Sequence, residues 1–286
     1  MTIKEILTVL PQYLLPHHLL SSWMSKLTHC ENRVWKNLFI RVITRVYGVN
    51  IQEAKYQDIE HYASFNQFFT RELKDGARPI AAGADAIVSP ADGVVSQIGA
   101  ISNGQIIQAK GHHYSVQELL GDDAEAAQQF ENGQFATIYL SPKDYHRLHM
   151  PLTGQLTQML HIPGRLFSVN NTTANAVPKL FARNERVVCY FDTVAGPMAL
   201  ILVGAIFVSS VETQWHGVVT PPSVTKIRRW QYPPQAVQLE KGAEMGRFNM
   251  GSTIIVLFGK DNMAWQGGLT AGNPVKLGEM IARCLR

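Results

Sequence analysis

The sequence predicts an α+β fold: a helical N-terminal region over residues 1–75, then a mainly β domain, a sandwich or barrel-like hybrid, over residues 76–286. Three observations predict it. Apolar residues before position 75 recur at helical spacing. Arg78-Pro79 interrupts that pattern. From about residue 85 onward, short runs rich in β-branched and aromatic residues alternate with Gly and Pro, which reads as strands and turns.

The elements follow in order. Ile6 to Ser25 holds no Lys, Arg, Asp or Glu, but Pro11, Pro16, His17 and His18 interrupt it. A membrane span needs about 20 predominantly apolar residues in helix. Leu14-Leu15, Leu19-Leu20, Trp23, Met24 and Leu27 are therefore expected to lie on a membrane surface rather than to cross it. After Trp35, Leu38, Phe39, Val42 and Val46 fall on one helical face, with Arg33, Lys36, Arg41 and Arg45 around the other. Such a basic amphipathic helix suits a membrane surface, and equally a helix packed on its own core. Phe65 to Leu73 closes the helical part.

Strands are expected at Ala86–Val88, Gly93–Val95, Gln105–Ile107, Ala136–Leu140, Val187–Phe191, Leu200–Val203, Ile206–Val208 and Thr253–Phe258, and a helix near Val116–Leu120. Thr193 to Val211 is uncharged, but its Gly196-Pro197 and Ser209-Ser210 suit two buried strands better than a span.

Composition narrows the function. Of the 286 residues, 46% are hydrophobic, which supports a sizeable core, and 17% are charged, below the usual share of about 25%. The net charge of +4 is mild and no basic stripe is concentrated anywhere, so nucleic acid is not an expected partner. Anionic lipid headgroups are compatible with it. Cys30, Cys189 and Cys284 are few, odd in number and far apart, which implies neither a disulfide framework nor a metal site. The first residues lack a basic segment and a small-residue cleavage site, so no secretory signal is expected.

Four motifs could carry chemistry. Ser89-Pro90-Ala91-Asp92-Gly93 puts an Asp on a tight turn ahead of a strand. Ser141 to Pro151 interleaves Asp144, Tyr145, His146, Arg147 and His149 just after a strand. Two histidines three apart suit a metal, a structural pair or general acid–base work; no companion ligand sits at metal-site spacing. His161 to Asn170 reads as a turn with an apolar patch, a possible pocket wall. Met250-Gly251-Ser252-Thr253 precedes the apolar run Ile254–Phe258. Taken together, Asp92, His149 and Ser252 have the residue types of an activated nucleophile. Gly251, lacking Cβ, is expected to hold a strained backbone that presents its carbonyl to the Ser252 hydroxyl. A Ser-His-Asp esterase or lipase-like hydrolase acting on an external ester shares these residues. A membrane-docked β scaffold is the non-enzyme alternative.

In order along the chain, Phe65 to Arg71, Arg78-Pro79, Ser89 to Gly93, Ser141 to Pro151, Phe167 to Asn170, Phe181 to Arg186 and Glu244 to Thr253 resemble the bacterial phosphatidylserine decarboxylase family. The likeness spans essentially the whole chain. Met250 stands where the family often has Leu, a swap that nearly conserves volume. The resemblance implies that Asp92 and His149 activate Ser252, whose Oγ attacks the Gly251 carbonyl. The chain would then split between Gly251 and Ser252 into fragments 1–251 and 252–286, which remain associated as a heterodimer. Ser252 would become a covalent pyruvoyl group, with no metal required. It further implies decarboxylation of phosphatidylserine to phosphatidylethanolamine through a Schiff base, with His146 managing protons. The partner would be phosphatidylserine in the bilayer at an anionic membrane surface, and the location the cytoplasmic side of the cell membrane, held peripherally.

Overall fold

In the computed structural model, the described residues are 3–109, 111–207, 210–222 and 224–285; within residues 3–7 only the backbone is described. Three helices come first: α1 (Ile3–Leu14), α2 (His17–Thr28) and α3 (Arg33–Tyr47), followed after two short turns of 3-10 helix by α4 (Phe65–Phe69). Asn32 caps α3 by accepting from the Trp35 N–H, and Gly48 ends it in the left-handed region, φ 70°.

The centre of the molecule is a nine-stranded antiparallel sheet. Its strands run in the order Arg228–Gln231, Gly154–Ile162, Arg186–Thr193, Gly196–Val203, Thr253–Phe258, Gln134–Tyr139, Gly93–Ala100 and Pro274–Val275, with Gln238–Leu239 also paired to Gly154–Ile162. Thr253–Phe258 is a central strand, buried along its whole length. Ile254, Val256 and Phe258 face one hydrophobic core, and Ile255 and Leu257 face the other. A strand buried on both faces requires an unbroken apolar run, which this sequence supplies. A four-stranded sheet, Gly217–Thr220, Ser210–Thr213, Glu244–Asn249 and Arg147–His149, shares the first core. Short helices such as Asn171–Ala176 and Leu180–Arg183 cover the second. The mixed layering agrees with the α+β expectation.

For α3 the two readings left open are separated, and one strand expectation is corrected. The side of α3 that carries Leu38, Val42 and Val46 does not pack on the core, although Phe39, expected on the same face, is half-buried against the cluster of Ile40 and Phe65. That side points outward, Val46 being 68% exposed, while Lys36, Asn37 and Ile40 are the buried positions. Lys36 is tolerated inside because its Nζ donates to the Ile59 carbonyl at 2.9 Å. Ile206 and Phe207 form a turn rather than a strand, and Val208 lies outside the described residues. The chain there must reverse from Gly196–Val203 into Ser210–Thr213, which belongs to the other sheet.

Leu14, Leu19, Trp23, Val34 and Leu38 are also exposed, so α1, α2 and α3 together carry a broad apolar surface. Among the described residues, no helix is long and apolar enough to cross a membrane. The opposite side of α1 and α2 is seated on the β domain. The Ser168 N–H donates to Gln12 Oε1 at 2.8 Å, Arg165 to the Tyr13 carbonyl at 2.8 Å, and the Leu166 N–H to His17 Nδ1 at 3.2 Å.

Candidate active site

The Gly251–Ser252 bond lies where the chain passes from one sheet to the other. Glu244–Asn249 ends in the four-stranded sheet, and Thr253–Phe258 begins in the nine-stranded sheet after three intervening residues. The intervening turn forces Met250 to φ 90°, a left-handed conformation that a non-glycine residue rarely adopts. The strained position is thus Met250, and Gly251 has another reason to be glycine. A Cβ there would sit 3.3 Å from His146 Nε2 and 3.5 Å from the Leu140 carbonyl oxygen. The missing side chain makes room for the histidine.

Ser252 is fully buried. Its carbonyl accepts from the Leu140 N–H at 2.9 Å, but among the described residues its Oγ has no hydrogen-bond partner. His146 is also fully buried, and its Nε2 likewise has none. An unsatisfied buried polar atom costs about 1–3 kcal/mol, so two beside one peptide bond call for an explanation. The His146 tautomer follows from its other nitrogen. Nδ1–H donates to the Asp144 carbonyl at 2.8 Å, which leaves Nε2 with a bare lone pair. Burial, and secondarily the Arg71 charge, push its pKa down to about 3, so the ring is neutral. The ring packs at a tilt against Phe69 of α4, centroids 4.0 Å apart. The turn before it is fixed by Asp144, which accepts from the Ser141 N–H and hydroxyl at 2.7 and 2.8 Å.

His149 lies one strand register away. The Phe248 N–H donates to the His146 carbonyl, whereas His149 pairs with Glu244. Three residues of chain separate the two histidines, roughly 10 Å along the strand. His149 Nδ1–H donates to the Gly242 carbonyl at 2.8 Å, and the Tyr145 hydroxyl donates to Nε2 at 3.4 Å. Burial lowers its pKa too. Asp92 sits in the neighbouring turn, joined to His149 by the His149 N–H to Pro90 carbonyl bond of 2.9 Å. Its carboxylate is clamped by Arg78, through Nε at 2.9 Å and Nη2 at 2.6 Å, and it accepts from the Leu277 N–H at 2.9 Å. Gly93 is required beside it, since a Cβ would stand 2.4 Å from the Tyr139 carbonyl oxygen. The structure therefore brings His146 to Gly251 and sets the turn of Asp92 beside the end of the strand that carries His149. Among the described residues, no hydrogen bond joins Asp92, His149 and Ser252.

A cavity of about 540 Å³ opens beside the bond. Met250, Gly251, Leu140 and Ser168–Asn170 line it from the β domain, Thr8 and Gln12 from α1, Leu15 from the bend after α1, and Tyr47 from α3. Of the segment His161–Asn170, expected as a pocket wall, only Ser168–Asn170 line this cavity. His161 is elsewhere, fully buried between Glu185 at 2.9 Å and the Arg228 guanidinium at 2.8 Å. Sequence reasoning assigned no role to Arg78, although its Arg-Pro block was visible. No group of three or more potential metal-ligating side chains occurs among the described residues.

Comparison with known proteins adds an independent line. A family model described as phosphatidylserine decarboxylase matches residues 65–283, and a second, described as PSD, matches residues 7–48. A phosphatidylserine decarboxylase proenzyme of Pseudomonas fluorescens is 57% identical over 279 residues, covering 96% of each chain. Proteins of the same name from Pseudomonas aeruginosa and Pseudomonas entomophila are 54% and 55% identical, each covering at least 98% of both chains.

Proposed function

Because this chain belongs to the phosphatidylserine decarboxylase family of carboxy-lyases, we propose that it converts phosphatidylserine to phosphatidylethanolamine and CO₂ with a pyruvoyl group made from its own Ser252. The observation that carries this reading is the pair of orphaned polar atoms, Ser252 Oγ and His146 Nε2, buried beside Gly251. The residues present fit such a group. Its atoms come from Ser252, and no additional ligand set is needed to hold it.

The first reaction is internal. Ser252 Oγ bonds to the Gly251 carbonyl carbon, its proton passes to a histidine, and the C–N bond breaks as the nitrogen takes a proton. The amide has become an ester. Loss of the Ser252 Cα proton, with departure of the Gly251 carboxylate from Cβ, leaves a dehydroalanine. Water then replaces its nitrogen, which leaves as ammonia. Intramolecular attack has so high an effective molarity that a neutral hydroxyl suffices. The Met250 backbone contributes strain on the order of 1–3 kcal/mol, released on cleavage.

In this reading Asp92 and His149 serve Ser252. His149 is neutral with an accepting Nε2, and Asp92 electrostatically favours its protonated form. The assignment requires the His149 ring to exchange its present bonds. His146, already beside Gly251, holds and returns the proton during decarboxylation. A second reading, favoured by the position of His146 Nε2, makes His146 the base for cleavage as well. His146→Ala separates them: an uncut chain assigns cleavage to His146, and a cut but inactive one confines it to decarboxylation.

The pyruvoyl carbonyl supplies an electron sink for the bond that releases CO₂. The two fragments stay together because the central strand Thr253–Phe258 is paired on both sides with strands of the larger piece. The substrate remains in its bilayer, since hiding each CH₂ from water is worth about 0.8 kcal/mol. The exposed apolar surface of α1 to α3, with Lys26, Arg41 and Arg45, supports peripheral docking on an anionic membrane at the cytoplasmic side of the cell membrane.

Intact mass measurement of the purified protein tests this reading. Two fragments are expected, residues 1–251 and a 35-residue piece (286 minus 251) whose blocked N-terminus reacts with carbonyl reagents. Ser252→Ala should give one inactive chain of 31.9 kDa. Active wild-type protein that is uncut and inert to carbonyl reagents would refute it.

A further inference from the structure

Arg71 is a buried cation without a counter-ion. It follows α4 and is only 4% exposed. Its Nε has no acceptor, and Nη2 reaches only the Lys143 carbonyl at 3.4 Å. Its guanidinium lies over the Phe68 ring at 5.3 Å. Among the described residues, no carboxylate lies within 4.0 Å of it. The nearest acids are committed elsewhere. Arg78 holds both Asp92 and Glu53, each through a 2.6 Å contact. Enclosing an unpaired guanidinium costs several kcal/mol, and burial lowers its pKa accordingly. A group so placed is made stable by whatever completes its hydrogen bonds.

Arg71 lines a cavity of about 310 Å³ together with Arg78, Lys143 and Lys276. Glu53, Asp92 and Asp144 line it too, so four cations face three carboxylates. Two of those carboxylates, Glu53 and Asp92, share Arg78, and Lys276 stands 4.0 Å from Glu53. The third, Asp144, is turned to Ser141, and burial raises its pKa. The cavity is separate from the one beside Gly251: Leu140 and Pro142 line that one, and Lys143, Asp144 and Tyr145 line this one.

We propose that this second cavity is an oxyanion site, in which Arg71, assisted by Lys143 and Lys276, binds a phosphate-type group, supplied either as free phosphate or as the phosphodiester of a headgroup. Arginine forms paired, charge-assisted hydrogen bonds to such oxygens. An occupant would also offset the influence of Arg71 on His146, one of the causes of its lowered proton affinity. Occupancy at one cavity would thus be felt at the other.

Binding of inorganic phosphate to the purified protein, followed by phosphorus NMR line broadening, tests this without any turnover. Saturable binding is expected, weakened about tenfold or more by Arg71→Gln and several-fold by Lys276→Ala. Lys276 is largely exposed, so its variant keeps the fold and decides the matter should Arg71→Gln fail to fold. Glycerophosphoserine binding more tightly than phosphate would identify a headgroup source, and phosphate binding alone a free one. Absence of saturable binding by both probes in the wild type, or binding unchanged in the folded variants, would overturn the proposal.

Discussion

His146 Nε2 stands 3.3 Å from the point where a Cβ would sit on Gly251, and among the described residues that nitrogen has no hydrogen-bond partner. A methyl group at this position must displace the ring or the turn by a few tenths of an ångström. The ring cannot yield freely, because Phe69 packs against it and the Asp144 carbonyl holds Nδ1. Gly251→Ala is therefore expected to slow self-cleavage by at least about tenfold, equivalent to about 1.4 kcal/mol, while leaving a folded chain. A time course of intact mass after synthesis checks this. Cleavage at the wild-type rate would mean that the close approach has no part in the reaction.

Arg78 is the clamp on Asp92, and both side chains are 8% exposed. Removing one partner of a buried pair leaves the other charge enclosed, at a cost of about 3–5 kcal/mol. Arg78→Ala should lower the urea midpoint accordingly and also abolish cleavage, because Asp92 loses its position. Arg78→Lys keeps the charge but not the two-pronged geometry, so a smaller loss is expected. Unfolding is best measured in the Ser252→Ala background, where a single chain unfolds.

The acid stability of that same uncut chain should report His146. Above about pH 6.5 its ring is neutral in both the folded and the unfolded chain, and no penalty arises. Between pH 6.5 and about 3 the unfolded chain binds a proton that the folded chain refuses, so stability falls as pH falls, by up to about 1.4 kcal/mol per unit. Below about 3 both forms are protonated and the loss levels off. His149 and His17, both lowered chiefly by burial, act in the same direction. His146→Gln should flatten the decline between pH 6.5 and 4.5 in thermal melts. An unchanged slope would show that the ring is not protected from protonation.

What the sequence made legible was whatever depended on local pattern. The run Ile254–Phe258 announced a central strand, and Gly251-Ser252 announced the turn before it. Register was not legible. His146 and His149 are three residues apart in the chain, and only their pairing against Phe248 and Glu244 decides which one meets Gly251. Arg71 and Arg78 could be read as members of a block, but their roles depend on which carboxylates the fold leaves within reach. The direction of α3 was illegible for a related reason. Its periodicity defines an apolar face, but not whether that face turns inward.

That direction yields the last prediction. Leu14 is 87% exposed and Trp23 is 62% exposed, and like Leu38, Val42 and Val46 of α3 they are apolar side chains left uncovered. Burying each such side chain in an interface is worth about 1.5–3 kcal/mol, so a vesicle-docking surface should be sensitive to single changes. Trp23→Ser and Leu14→Ser should each weaken sedimentation with anionic liposomes by about tenfold or more, with thermal stability unchanged because neither residue packs inside. Deleting residues 1–25 is a poorer test. It removes Gln12 and Tyr13, which bond Ser168 and Arg165, and it strips Thr8, Gln12 and Leu15 from the wall of the cavity beside Gly251. Point variants keep that wall and alter only the surface. If both variants sediment like the wild type, the apolar face of these helices is not what meets the membrane.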